Sequence, residues 1–132
     1  MKAQCLCGAV SLEVEHNRRV HACHCGMCKT WGSGAYFAVD ALGAPKIEGS
    51  EYISRYRSSD WNERCFCKQC GTHLFCHLIP SDGYAVNAGL FKNEALHLDM
   101  QFFSDLQPAY YQLENQSKVM TEAEVMNQFR QP

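Results

Sequence analysis

The chain has 132 residues, of which 46% are apolar, so it is long enough for one domain with a modest hydrophobic core. Its formal net charge of −2 leaves no surplus of positive charge to neutralise phosphates, which argues against nucleic acid as a partner. No apolar run reaches the roughly 20 residues of a membrane helix, and the start does not resemble a signal peptide. We therefore expect a single cytoplasmic domain over residues 1–132, with no membrane partner and with no indication of its oligomeric state.

Apolar and polar residues alternate along much of the chain, which predicts a mainly β protein. Val10, Leu12 and Val14 alternate with polar residues, as in a half-buried strand. Further short apolar runs, separated by turn-forming residues, follow at 35–39, 52–56, 73–79, 84–88 and 98–103. This order predicts a meander of antiparallel strands. Only the C-terminus predicts a helix, because Thr121 and Glu124 form a capping-box pair.

Nine cysteines stand out in this composition. All except Cys76 fall in three short clusters: Cys5 and Cys7; Cys23, Cys25 and Cys28; Cys65, Cys67 and Cys70. An odd count without a signal peptide favours metal ligands over a disulfide framework. The short intervals let neighbouring thiolates converge on one ion, and zinc is the ion that we expect. Structural disulfides are the alternative, which zinc and free-thiol quantitation on protein purified without reductant would distinguish.

Counting ligands gives two zinc sites per chain. A structural zinc takes four ligands, so Cys5 and Cys7 need two more thiols. If Cys67 and Cys70 of the third cluster supply these two thiols, the site is complete. We call Cys5, Cys7, Cys67 and Cys70 together the four-thiol cluster. The three-thiol cluster consists of Cys23, Cys25 and Cys28, and would hold a second zinc with an open fourth position, as catalytic zinc sites do. Because CHCGMC and CFCKQC share one spacing, the reverse pairing stays open at this point.

Three segments of the chain form a distinctive ordered set: CLCGAVSLEV, CHCGMCKTWGSGAYF and RCFCKQCGTHLF. Together with NAGLF and His97 they resemble the glutathione-dependent formaldehyde-activating enzyme family, also called the GFA or CENP-V/GFA domain, from about residue 5 to residue 103. This resemblance implies an Mss4-like arrangement of small antiparallel sheets held by zinc. It also implies a structural zinc at the four-thiol cluster, a second zinc at the three-thiol cluster, and glutathione and formaldehyde as substrates.

The chain departs from the family after His97. The family usually continues with a Ser-Lys-x-Pro-Trp-like segment, whereas this chain reads LDMQFFSDLQPAYYQLENQ. Tyr110 or Tyr111 then stands where the tryptophan would be. The wall of the expected pocket therefore differs in this chain.

The three-thiol cluster favours thiol chemistry over hydrolysis. Three thiolates on Zn²⁺ leave a net charge of about −1, which weakens the metal as a Lewis acid toward water. A soft, thiolate-rich zinc suits a substrate thiol as its fourth ligand and holds that sulfur ionised near neutral pH. We therefore expect a zinc-dependent carbon–sulfur lyase or synthase that acts on a thiol–aldehyde adduct, S-(hydroxymethyl)glutathione synthase-like, with Cys23, Cys25 and Cys28 as ligands of the open zinc.

The alternative function is a non-catalytic, zinc-stabilised protein-binding module of the same fold. Other side chains have weaker functional signals. We expect Cys65 and Cys76 to be small buried apolar residues, and His73 and His77 to be hydrogen-bonded strand residues. His24 lies between two expected ligands and is expected to point away from the metal.

Overall fold

A computed structural model describes residues 1–114 and 117–129 of the chain. In chain order, the strands in these ranges are β1 (Lys2–Gln4), β2 (Ser11–Glu13), β3 (His16–Cys23), β4 (Tyr36–Ala41), β5 (Lys46–Glu48), β6 (Ile53–Ser59), β7 (Asn62–Cys67), β8 (His73–Leu78), β9 (Gly83–Asn87), β10 (His97–Phe102) and β11 (Lys118–Met120). The helices in these ranges are α1 (Gly26–Gly32) and α2 (Glu122–Phe129), with short 3-10 turns at Ser50–Tyr52, Ala88–Leu90 and Ser104–Leu106. The mainly β fold class with a short C-terminal helix is confirmed.

The chain divides into two compact units. The first contains Met1–Arg18 and Ala38–Ala95, and the second contains Arg19–Phe37 and Leu96–Pro132. The expectation of a single domain over residues 1–132 stays a prediction. No helix among the described residues is long and apolar enough to cross a membrane.

A small antiparallel sheet in the first unit consists of β1, β2 and β5, with β2 in the middle. Leu12 on β2 is buried, while Glu13 beside it is exposed, as the alternating pattern predicted. The turn that follows β1 contains Cys5 and Cys7. This turn presents half of the four-thiol cluster.

The rest of the first unit is an antiparallel meander of the predicted kind, to which β7 adds a strand that was not predicted. β6, β7, β8 and β9 pair in that order, and β9 pairs next with residues 38–40 of β4. Leu74, Phe75 and Val86 are almost fully buried in it. The turn that joins β7 to β8 contains Cys70, and Cys67 is the last residue of β7. This hairpin therefore presents the other half of the four-thiol cluster.

The strands of the second unit pair differently from the predicted antiparallel meander. β10 runs parallel to residues 19–23 of β3 on one side and to β11 on the other. Parallel pairing requires a long connection instead of a hairpin, so local turn residues carry no information about it. β10 matches the predicted strand at 98–103, whereas β3 and β11 were not predicted.

Helix α1 was also not predicted, because its seven residues include two glycines and a threonine, which are poor helix formers. Its N-cap is Cys25, whose Sγ accepts a hydrogen bond from the N–H of Cys28 at 3.4 Å. A cysteine thus takes the place that serine, threonine or aspartate usually occupies. The metal-ligand pattern itself begins this helix.

Helix α2 begins with the predicted capping box. The backbone N–H of Thr121 donates to the carboxylate of Glu124 at 3.1 Å, and the N–H of Glu124 donates to the hydroxyl of Thr121 at 3.2 Å. These two bonds satisfy N–H groups that a helix start leaves without an internal partner.

Candidate metal centres

The first unit brings the four thiols of the four-thiol cluster together. All four Sγ atoms lie within 4.8 Å of one another. The Sγ of Cys7 lies 3.6 Å from that of Cys5 and 3.8 Å from that of Cys67. A tetrahedral zinc with Zn–S bonds of about 2.3 Å holds its sulfurs about 3.8 Å apart, so the spacing fits that ion.

Two tight turns position these thiols. Gly8 and Gly71 have φ values of 82° and 77°, a left-handed conformation that costs glycine little. Gly71 N–H donates to the carbonyl of Cys67 at 2.8 Å, and Gly8 N–H donates to that of Cys5 at 3.1 Å. The N–H of Val10 also donates to the Sγ of Cys5 at 3.3 Å. The Val10 N–H, which donates directly to sulfur, favours the thiolate form of Cys5 that a metal binds.

Thr72 connects the two turns, and sequence analysis did not single it out. Its hydroxyl lies 3.1 Å from the Sγ of Cys70 and accepts a hydrogen bond from the backbone N–H of Leu6 at 3.0 Å. Because the Leu6 N–H is a donor, the hydroxyl proton of Thr72 is available to Cys70. This hydrogen bond is the largest cause that lowers the pKa of Cys70 to about 5.

The two remaining cysteines of the first unit lie apart from the four-thiol cluster. Cys65 is buried, and Arg55 Nη1 donates to its Sγ at 3.4 Å. Burial raises the pKa of Cys65 to about 11. Cys76 is buried as well, with Arg64 Nη1 at 3.8 Å from its Sγ. Both cysteines are buried, as the sequence predicted, and the raised pKa of Cys65 keeps that thiol protonated and poorly reactive.

The second unit brings Cys23, Cys25 and Cys28 together, with their Sγ atoms within 4.8 Å of one another. Cys23 ends β3, Cys25 caps α1, and Cys28 lies in its first turn. Cys28 is buried, whereas the other two thiols are half-buried. The structure therefore brings together the three thiols that CHCGMC grouped, and two of them stay partly exposed.

The donor set of the three-thiol cluster suits a divalent cation. Hydrogen bonding to Cys25 and then to Cys28, followed by burial, raises the pKa of Cys23 above its ordinary value. Three crowded thiols resist ionisation because each new thiolate repels the next. A divalent cation removes this repulsion, and a soft thiolate set suits zinc. The donor chemistry of this cluster therefore fits the metal that the sequence predicted.

His24 lies between two of these cysteines and its side chain is completely buried. Its Nε2 is hydrogen-bonded to the hydroxyl of Tyr111 at 2.5 Å. Burial, and to a lesser extent the positive charge of Lys29, lower the pKa of His24. The lowered pKa favours the neutral ring, and the ring is directed to Tyr111 of the same chain.

Tyr111 belongs to an open pocket of about 490 Å³ in the second unit. Ser104 and residues 107–112 line this pocket, and none of them carries a charge. Sequence analysis noted Tyr110 and Tyr111 only as a departure from the family pattern and gave neither a role.

The strand histidines have ordinary structural partners. His77 lies between two carboxylates, with Nδ1 at 3.1 Å from Glu63 and Nε2 at 2.6 Å from Asp82. It also stacks on Tyr84 with ring centroids 4.7 Å apart. The bond to Asp82, followed by that to Glu63, raises the pKa of His77. Burial lowers the pKa of His73, whose carbonyl accepts from Asn87 at 2.8 Å.

These observations define a mainly β protein with two cysteine clusters able to hold metal. The glutathione-dependent formaldehyde-activating enzyme family matches residues 1–105. An uncharacterized lyase of Schizosaccharomyces pombe is 34% identical over 128 residues, which cover 95% of this chain and 93% of that protein. The chain belongs to the glutathione-dependent formaldehyde-activating enzyme family, so the resemblance noted in the sequence is confirmed.

A solved structure supports the fold. A crystal structure of a Rhodobacter sphaeroides protein has a TM-score of 0.62 and 28% sequence identity with this chain. The match covers 71% of this chain and 90% of that one. Family and relative together support an enzyme of the lyase type.

Proposed function

We propose that this protein is a cytoplasmic, zinc-dependent carbon–sulfur lyase and synthase that interconverts S-(hydroxymethyl)glutathione with glutathione and formaldehyde. The observation that carries the proposal is the three-thiol cluster, whose Sγ atoms lie within 4.8 Å of one another and stay accessible at Cys23 and Cys25. A fourth protein ligand would close the site, and none joins this cluster among the described residues. Three protein ligands and one exchangeable position are typical of catalytic zinc.

The two clusters take different roles in this proposal. The four-thiol cluster binds a structural zinc and joins the turn after β1 to the β7–β8 hairpin. Cys23, Cys25 and Cys28 supply three ligands to a second zinc, which when bound keeps a substrate thiol ionised. These three residues determine where the fourth ligand position of that zinc lies. The half-buried side of the cluster, at Cys23 and Cys25, admits the substrate.

The reaction balances without an oxidant or reductant. In the lyase direction the carbon–sulfur bond of the adduct breaks and sulfur keeps the electron pair. The adduct hydroxyl loses its proton to solvent as the carbonyl bond of the aldehyde forms. In the synthase direction the thiolate attacks the aldehyde carbon and the oxygen takes up a proton.

The test is an exchange measurement, because the adduct also forms without a catalyst. Two-dimensional NMR exchange spectroscopy of ¹³C-formaldehyde with glutathione measures how fast free and adduct forms interconvert. We expect wild-type protein to increase this rate in proportion to its concentration. Cys28→Ser should abolish the increase and lower the zinc content from about two to about one, on the four-plus-three ligand count.

Cys65→Ser is the matched control, since it removes a thiol that lies outside both clusters. It should keep the wild-type rate. A folded, one-zinc Cys28→Ser protein with the wild-type rate would show that the second metal is not catalytic. No acceleration by wild-type protein, or global unfolding of Cys28→Ser, would favour the binding-module alternative.

A further inference from the structure

We propose that Tyr111 is a positioning residue for the three-thiol cluster, which it holds through His24 and links to the pocket at residues 104–112. The inference deepens the proposed function and rests on it only in taking the three-thiol cluster to hold a metal.

His24 is held both at its backbone and at its ring. Its backbone N–H donates to the carbonyl of Phe102 at 3.1 Å, which ties the Cys23–Cys25 segment to β10. Its ring is 0% exposed, and Nε2 makes the 2.5 Å hydrogen bond to the hydroxyl of Tyr111. Among the described residues, Nδ1 has no hydrogen-bond partner. The Tyr111 hydroxyl therefore provides the hydrogen bond that fixes this ring.

The loop that contains Tyr111 is held by two hydrogen bonds. Gln107 Nε2 donates to the carbonyl of Tyr111 at 2.7 Å and closes the loop. The ammonium group of Lys29 donates to the carbonyl of Leu106 at 2.7 Å, and Lys29 lies on α1, next to Cys28. The loop is thus attached to the helix that presents one thiol, while Tyr111 reaches the residue between the other two.

Tyr111 links the three-thiol cluster to a pocket. A hydrogen bond made directly to a metal ligand orients that ligand, and its loss typically costs about 10–100-fold in metal affinity. Tyr111 acts through His24, the residue between two ligands, so its effect should lie at or below the lower end of this range. Tyr111 also lines the uncharged pocket, so a molecule that enters the pocket meets the ring that holds His24. Tyr111 therefore connects pocket occupancy to the geometry of Cys23 and Cys25.

The experiment compares zinc release from Tyr111→Phe, Tyr110→Phe and wild-type protein, with a chromogenic chelator and no substrate. Tyr111→Phe removes only the hydroxyl, and Tyr110→Phe is the matched control because its 3.5 Å contact with the Ser33 carbonyl is at the edge of hydrogen bonding. The four-thiol cluster in the same molecule is the internal reference. We expect Tyr111→Phe to release one of two zincs faster than wild type, by up to about 10-fold, while the other is unchanged. The visible spectrum of Co²⁺-substituted protein should shift in the same variant, whereas Tyr110→Phe should match wild type in both measurements.

The inference would be overturned if Tyr111→Phe released zinc at the wild-type rate and its cobalt spectrum were unchanged. Faster release of both zincs would also overturn it, since that indicates general destabilisation. If wild-type protein binds two zincs but does not accelerate glutathione–formaldehyde exchange, the proposed function fails while the Tyr111 result still stands. If exchange is accelerated and Tyr111→Phe behaves as wild type, only the inference fails.

Discussion

The hydroxyl of Thr72 lies 3.1 Å from the Sγ of Cys70 and, at the same time, accepts the backbone N–H of Leu6 at 3.0 Å. Leu6 stands between Cys5 and Cys7, so one hydroxyl group joins the two turns that present the four thiols. Thr72 thereby stabilises both the thiolate of Cys70 and the distance between the turns.

Thr72→Val keeps the shape of the side chain and removes the hydroxyl, which leaves the Leu6 N–H and the Cys70 sulfur without that partner. We expect a loss of about 1–3 kcal/mol in the free energy of unfolding and faster zinc release from the four-thiol cluster. Thr72→Ser keeps the hydroxyl and should stay close to wild type. Thermal unfolding and chelator competition measure both effects, and equal behaviour of the two variants would contradict this role.

Cys70→Ser removes one ligand of the four-thiol cluster. Because structural zinc binding is worth on the order of 10 kcal/mol to small metallo-domains, the variant should be largely unfolded. Cys65→Ser should be mild, since Cys65 lies outside both clusters and its sulfur accepts a 3.4 Å hydrogen bond from Arg55. Circular dichroism melts with zinc quantitation test the pair. A cooperative, near-wild-type melt of Cys70→Ser would remove the structural assignment.

Gly49 approaches the turn after β1 too closely for any side chain. A Cβ at this position would lie 2.0 Å from the carbonyl oxygen of Ala9, and the residue has φ 84°. Gly49→Ala should therefore destabilise the first unit by about 1–3 kcal/mol or more. Gly34→Ala is the control, because no atom lies within 4 Å of a Cβ there. If a denaturant titration gives the two variants the same free energy of unfolding, the turn moves to accommodate the side chain without measurable cost.

His77 should make stability depend on pH. Asp82 first, and then Glu63, raise its folded-state pKa above the ordinary value of 6.5. The folded state favours the protonated ring. Its contribution to the free energy of unfolding is therefore full below pH 6.5 and is lost as pH rises through the raised pKa. The melting temperature of wild type should therefore fall toward that of His77→Gln as pH rises. A difference in melting temperature between the two proteins that stays constant from about pH 6 to 9 would contradict this sign. High salt should reduce the difference, because Asp82 is exposed.

The sequence predicted features that depend on local spacing. Alternation identified β2, and the capping box identified α2. The cysteine intervals grouped the three-thiol cluster and each half of the four-thiol cluster, but they did not decide which halves join.

Sequence analysis did not predict the short strands β1 and β5, nor β3 and β11, whose parallel pairing with β10 depends on segments far apart in the chain. It missed β7 as well, because the buried residues of that strand include Asn62 and Arg64 and so do not follow an apolar alternation. It also missed α1, whose start depends on the Cys25 sulfur and not on helix propensity. Thr72 and Tyr111 act through contacts with Leu6 and His24 over 66 and 87 residues of separation, which spacing does not reveal.

The most direct test of the account is a glutathione titration of protein in which both zincs are replaced by Co²⁺. An open three-thiolate metal should take the added thiol as its fourth ligand, so the absorption bands of one of the two cobalt ions should change until they saturate. Cys28→Ser protein should show no such change, since its remaining cobalt lies in the closed four-thiol cluster. Two inert cobalt sites that ignore glutathione in wild-type protein would contradict the enzyme and favour a zinc-stabilised binding module.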